Sequence, residues 1–309
     1  MTSQATVKSD MGKGFLPVDI LLFCYLAITG VLLVCSPEAI ANRSAVTTLH
    51  LTGLVFVGCL QLMPKAGTTF IRLVRLWYPF VLLPLLYWEL SSLNRLITTS
   101  FFDSHVVSAE QALFGWQPSQ ELSIIAPWPF LSELLHFCYG AYEILLPVIG
   151  LTFFISRRDA EFRRFATAVM FTFLACYLIF IIIPVRGPFH HFGPPATDSG
   201  GFVAGLIHRL LGVASSEGTA FPSSHVAASI AIWFGIRGVF RRLSWAVMII
   251  VIGIILGTVY GGFHYAIDSL AGLIVGVTLG PLGLRLHDRL ISLSIGFRKA
   301  SGVADSCRS

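Results

Sequence analysis

"FATAVMFTFLACYLIFIIIP", residues 165–184, runs for 20 positions without a charged side chain. A helix needs about 20 apolar residues to cross a hydrocarbon core, so this stretch reads as a membrane span. Seven more apolar segments lie near residues 16–35, 46–63, 74–93, 133–155, 225–240, 245–262 and 264–283. The one at 225–240 is short and polar at its start, which places that start against a cavity and not against lipid. Composition points the same way. Of 309 residues, 55% are apolar and 12% charged, and the mean hydropathy is +0.78. A soluble domain would carry about a quarter charged residues. The chain therefore reads as one all-α integral membrane domain spanning 1–309, a polytopic bundle of about eight transmembrane helices. No internal repeat or low-complexity linker divides it.

Lysines and arginines in the connections set the expected orientation. With the N-terminus inside, one side collects Lys8, Lys13, Lys65, Arg72, Arg75, Arg157, Arg158, Arg163, Arg164, Arg237, Arg241 and Arg242, and the C-terminal tail adds Arg285, Arg289, Arg298, Lys299 and Arg308. The other side holds only Arg43, Arg95, Arg186 and Arg209, a split of 17 to 4. Both termini are expected in the cytoplasm, in a plasma or inner membrane. The net charge of +5 follows from this topology and calls for no nucleic acid. "AIA" at 39–41 resembles a signal-peptide cleavage site, but the apolar run before it is longer than a usual signal core of about 7–15 residues. The cysteines at 24, 35, 59, 138, 176 and 307 show no paired spacing, which argues against a disulfide framework or a thiolate metal site.

Two long connections fall on the extracytoplasmic side. The stretch at about 94–132 mixes acids with aromatics, including Trp116 and Trp128, and is expected to lay a helix in the interface. The stretch at about 185–223 is rich in Gly, Pro and His; long connections over a membrane site are often functional. The last three segments carry small residues every fourth position: Ala227, Ala231 and Gly235; Gly253, Gly257 and Gly261; Gly272, Gly276 and Gly280. Such ridges let helices approach closely.

The chemistry gathers at the same end. "IPVRGPFHHFGP" places Arg186 past the outer end of one span, "FPSSHVAAS" places Ser223, Ser224 and His225 at the mouth of the next, and "YGGFHYAIDSLAG" supplies His264 and Asp268. His264 and Asp268, four apart, share a helix face. A carboxylate beside an imidazole fixes its tautomer and leaves the other nitrogen as nucleophile or base. His225, without such a neighbour, suits proton donation. The helix start behind Ser223 and Ser224 offers free N–H groups to an anion, and Arg186 can grip phosphate bidentately. Together these groups fit phosphoryl transfer. His190 and His191 are candidate headgroup contacts. His105, His136 and His208 read as structural, and Glu89, Glu133 and Glu143 have no assignable role. Two rival readings use the same residues. One is a proton-coupled transporter relaying through His264 and Asp268, although the small-residue ridges offer no polar continuation across the membrane. The other is a metal site of His190, His191, His225 and Asp268.

These motifs resemble the type 2 phosphatidic acid phosphatase superfamily, over roughly residues 133–283. Its Pro-Ser-x-His motif is met by Pro222, Ser223, Ser224 and His225, and its His-x-x-x-Asp motif by His264 and Asp268. The resemblance implies a six-helix core, attack on phosphorus by His264 oriented by Asp268, and protonation of the leaving oxygen by His225, with no metal or cofactor. Two family cations are missing: Ile179 stands where a lysine is usual, seven before Arg186, and Thr258 where an arginine is usual, six before His264. In this the chain is similar to the inositol phosphorylceramide and sphingomyelin synthase branch, and "EQALFGWQPS" extends that likeness. The expectation is a lipid phosphatase acting on a phospholipid, sphingolipid or polyprenyl phosphate within the bilayer through a phosphohistidine. Transfer of the headgroup to another lipid alcohol is the alternative.

Overall fold

The computed structural model describes residues 15–36, 42–60, 62–63, 68–193 and 201–300, where helices joined by short connections make up the chain. In chain order the helices are α1 Pro17–Cys35, α2 Arg43–Leu60, α3 Thr69–Leu93, α4 Asp103–Phe114, α5 Pro118–Ile125, α6 Pro129–Ile155, α7 Asp159–Ile182, α8 Pro188–Phe192, α9 Phe202–Ala214, α10 Ser224–Ile236, α11 Arg241–Tyr260 and α12 Ala266–Ala300. Seven of them (α1, α2, α3, α6, α7, α11 and α12) are long and apolar enough to cross a membrane. The expected polytopic all-α bundle is what forms. The eighth expected span, α10, has 13 residues. At 1.5 Å per residue it is roughly 20 Å long, short of a full crossing, because Arg237 and Gly238 end it. Residues 39–41, with the cleavage-like "AIA", lie outside the described residues, as do Lys8, Lys13, Lys65 and Cys307.

Helix α7, which carries most of the uncharged run at 165–184, is the axis of the bundle. Nearly three-quarters (72%) of the apolar window of α7 is buried, and α10, α12, α1 and α3 all pack on it. A helix apolar on every side belongs at such a centre. The small-residue ridges work as expected on α12. A Cβ added at Gly272 would stand 2.5 Å from the Ser223 carbonyl oxygen, and one at Gly276 2.8 Å from that of Ala227. The α12 backbone therefore lies directly against α10, and any larger residue would push the two apart.

The basic connections gather at one end. Arg72 of α3 forks onto Asp159 at the head of α7, at 2.6 and 2.5 Å, and Arg164 onto Asp288 of α12, at 2.8 Å through both nitrogens. At the opposite end the connection at 94–132 folds as two short helices and not one. Gly115, with φ of +78°, closes α4 in the left-handed conformation that glycine adopts without strain. Arg186, Ser223, His225, His264 and Asp268 all lie at that end.

Candidate active site

Three connections and the first turn of α4 build the site. After α7, the chain at Val185 pairs in parallel with Thr219, and Ala220 N–H donates to the Val185 carbonyl at 2.9 Å. This brings the Arg186 loop beside the approach to α10, which enters through a cis Phe221–Pro222 bond. Ser223 caps α10, its Oγ accepting from Val226 N–H at 3.4 Å, and its own N–H donates to the Asp268 carbonyl at 2.9 Å. The start of α10 is thus pinned to α12. Between α11 and α12, the N–H groups of Phe263 and His264 both donate to the Thr258 carbonyl at 3.0 Å. Thr258 is fully buried, and its hydroxyl meets Ser269 Oγ at 2.9 Å. Thr258 therefore shapes the His264 turn from inside the bundle.

His264 and His225 face one another, with His264 Nε2 3.3 Å from His225 Nδ1. With both rings neutral, their partners settle the tautomers. The Ala220 carbonyl, 3.1 Å from His264 Nδ1, can only accept, so Nδ1 carries the proton and Nε2 bears the lone pair. His225 Nδ1 must then donate to that lone pair. His225 Nε2 is left to accept from the Tyr139 hydroxyl, 3.4 Å away. The result is a directional chain from Tyr139 through both imidazoles to Ala220. Here the geometry adds partners that spacing does not show. His225 has aromatic neighbours: the Tyr139 ring centroid lies 5.0 Å from its own and that of Tyr142 4.4 Å. Asp268 lies within ion-pair reach of His264, with the Ala220 carbonyl closer still. Its Oδ2 lies 3.6 Å from Nδ1 and accepts from Tyr265 N–H at 2.9 Å. The carboxylate caps the turn into α12 and places a negative charge behind the imidazole, while Ala220 holds the ring.

Arg186, about one-third exposed, points over the Phe101 ring at 5.1 Å. Its guanidinium lies 3.7 Å from Asp103 and 3.8 Å from Glu217, with NH2 3.3 Å from His191 Nδ1. His191 therefore belongs beside Arg186, whereas His190 turns to Ser215 Oγ at 2.9 Å and joins no common cluster with His225 and Asp268. Among the described residues, no three His, Cys, Asp or Glu side chains group to hold a metal ion. Ser223 and Ser224 are buried and the Ser223 N–H is held by Asp268, so the first-turn N–H groups of Ser224 and His225, not exposed hydroxyls, are left to form the floor at the start of α10.

Two acids of α4 were not singled out from sequence. Asp103, 2% exposed, accepts from Arg186 N–H at 3.0 Å, Gly187 N–H at 3.1 Å and the Tyr265 hydroxyl at 3.2 Å. Seven residues on, and so on the same face, Glu110 accepts from Ile267 N–H at 3.2 Å. One helix thereby braces the arginine loop with one acid and the head of α12 with the other. Burial pushes the Glu110 carboxyl up to about 7, against the pull of the N–H groups at the head of α12. Its raised folded-state value means that ionisation opposes folding. Stability is held below pH 4.5 and lost as the pH climbs through about 7. Glu110→Gln is expected to abolish that loss, so the variant gains on the wild type between pH 4.5 and 7.5. Thermal unfolding of both proteins across that range checks it, and parallel curves would refute it.

A segment of 91 residues is 31% identical to undecaprenyl-diphosphatase BcrC of Bacillus subtilis (strain 168), covering 29% of this chain and 45% of that protein. The chain thus matches less than half the length of this relative. No solved structure matches significantly. The PAP2 superfamily pattern matches residues 104–280, beginning inside α4, which braces the site, and ending in α12; the chain belongs to the PAP2 superfamily.

Proposed function

We propose that this protein is a membrane phosphatase that releases phosphate from a lipid-linked phosphate or diphosphate, with a polyprenyl diphosphate as the leading substrate class. The observation that carries the reading is the 3.3 Å approach of the bare His264 Nε2 to the donating His225 Nδ1, at the head of a helix whose free N–H groups face the same space. Substrate enters by breaking that hydrogen bond. His225 takes up a proton from water at Nε2 as the anionic substrate binds; His264 Nε2 attacks phosphorus, the bond from phosphorus to the leaving oxygen breaks, and the His225 imidazolium gives that oxygen its Nδ1 proton and returns to the neutral form. Tyr139 serves His225 throughout, because a hydroxyl donates to a neutral imidazole and accepts from an imidazolium. Asp268, 3.6 Å behind His264, offsets the positive charge that phosphorylation places on its ring. Water, deprotonated by His225, then cleaves the phosphohistidine and releases inorganic phosphate. Arg186 and the α10 N-terminus hold the phosphoryl oxygens. The polyprenyl class comes from the name of the partial relative.

Incubating purified protein with a polyprenyl diphosphate, a phosphatidic acid and an inositol phospholipid, with and without a lipid alcohol, tests both the substrate and the acceptor. Free phosphate appearing in step with dephosphorylated lipid supports hydrolysis. A headgroup found on the added alcohol, with no free phosphate, would replace hydrolysis by the transferase of the inositol phosphorylceramide synthase kind.

The 17-to-4 division of basic residues supports an extracytoplasmic site with both termini inside. In a background without native cysteines, Ser100→Cys, exposed beside α4, is expected to react with an impermeant thiol reagent on intact cells. Ala160→Cys, exposed at the head of α7, is expected to react only after lysis. The opposite pattern turns the site to the cytoplasm.

A further inference from the structure

Helix α9 has two apolar faces. The inner one is docked on α6: Ala204 and Ile207 are buried, and the N–H groups of Val203 and Ala204 each donate to Glu133 at 3.1 Å. Ile207 reaches Gly140 so closely that an added Cβ there would stand 2.6 Å from its Cδ1, and His208 Nε2 lies 3.3 Å from His136 Nε2. On the outer face, Phe202, Leu206 and Leu210 are 82%, 44% and 55% exposed. Spaced by four, they form one row along the helix, with Arg209 exposed beside it.

The contacts fix how deep this row lies. From Glu133 to Gly140, α9 accompanies α6 for about 10 Å of rise, starting a little over one turn inside Trp128. That tryptophan is exposed at the N-cap of α6, a position where indole rings mark the membrane surface. Over the same stretch Phe130, Leu134 and Phe137 are exposed on a helix long enough to span the membrane, so they face lipid. At 100° per residue this lipid face lies roughly a quarter turn from the Glu133–His136–Gly140 face that holds α9. The outer row of α9 therefore adjoins a lipid-facing surface at leaflet depth. Behind its inner face, Phe263 lies 5.0 Å from His208 and stacks at 4.1 Å on Tyr139, the hydroxyl partner of His225.

We propose that Phe202, Leu206 and Leu210 form the surface on which the hydrocarbon chain of a lipid substrate lies while its phosphate reaches His225 and His264. The occupant is a membrane lipid. The row continues a lipid-facing helix surface on α6, which puts it among hydrocarbon chains and not in water. The role in substrate binding rests on the phosphatase reading; the contact with the leaflet does not.

The test uses the full chain in phosphatidylcholine nanodiscs, with the six native cysteines replaced by alanine and an environment-sensitive fluorophore on Leu206→Cys. Emission should be quenched by doxyl-labelled lipid and spared by aqueous iodide. Quenching by iodide with none by doxyl lipid overturns the proposal. In unlabelled protein, Leu206→Asp should lower the ratio of kcat/KM for a long-chain lipid phosphate to that for a short-chain soluble one at least tenfold. An equal loss on both substrates would make α9 a structural brace and overturn the substrate role. A wild type inactive on both, with the fluorophore in lipid, keeps α9 in the leaflet and refutes the phosphatase reading alone.

Discussion

His264→Ala is expected to remove turnover by about four orders of magnitude or more while leaving the fold intact. The size follows from the role. A nucleophile that forms a covalent intermediate leaves no alternative first step when deleted, and related catalytic groups are worth about 10⁴ or more. Folding should survive because the turn rests on backbone bonds: the Thr258 carbonyl holds the N–H groups of Phe263 and His264, and alanine keeps both. Rapid quenching of wild type with phosphorus-labelled substrate should leave acid-labile, base-stable label on His264. His225→Ala should lengthen the life of that label, since His225 also activates the water. Asp268→Asn separates the two jobs of that side chain. The Ala220 carbonyl, 3.1 Å from Nδ1, still fixes the tautomer, so only the charge behind the ring is lost, at a cost of about 10²–10³ in kcat. Turnover by His264→Ala within tenfold of wild type ends the phosphohistidine mechanism.

The spans were legible because apolar length is a one-dimensional property. Residues 165–184 carry no charge, and α7 appears there as the buried centre of the bundle. The close approach of α12 to a neighbour was legible for a similar reason, since glycines four apart make a ridge wherever the helix goes; that the neighbour is α10 was not. The motif residues at 186, 223–225, 264 and 268 were found because each sits where a span meets its connection. Their partners were not. Tyr139 reads as one more aromatic in an apolar helix, and only the fold puts its hydroxyl 3.4 Å from His225. His264 and Asp268 show the limit of spacing. Four residues apart put the two within reach, and Nδ1 and Oδ2 do lie 3.6 Å apart, but the helix begins only at Ala266, so His264 precedes its first turn and its shorter contact, to the carbonyl of Ala220, was not legible. Thr258 reads as a missing cation, yet its side chain is buried against Ser269. An arginine there has no open space to occupy, so Thr258→Arg offers no simple route to a second phosphate ligand. On the proposed mechanism the phosphate grip falls to Arg186 and its supports.

Asp103→Asn is accordingly expected to lower kcat/KM by about a hundredfold. The buried carboxylate accepts the N–H groups of both Arg186 and Gly187, and an amide can present an oxygen to only one of them. The other N–H then meets an NH₂ group in a dry site, and an unsatisfied buried donor costs about 1–3 kcal/mol. Gly187 makes relief difficult. Its φ of +87° and the 3.0 Å that would separate an added Cβ from Ala220 Cβ mean that the turn is already closed against the approach to α10. The arginine loop should shift as a unit, carrying the guanidinium away from the phosphoryl position. On the proposed mechanism Asp103, held by the Arg186 and Gly187 N–H groups, acts through Arg186 as a positioning residue, and a double-mutant cycle exposes this. Arg186→Ala should itself cost about a hundredfold or more, and adding Asp103→Asn to it should cost little further, because the guanidinium to be positioned is gone. Arg186→Lys should rescue poorly, since an ammonium keeps the charge without the planar fork. The measurements are kcat/KM for a lipid monophosphate and a lipid diphosphate in the two single variants and the double. If the two losses multiply, Asp103 works independently of Arg186, through the Tyr265 hydroxyl it also accepts and the His264 turn that follows.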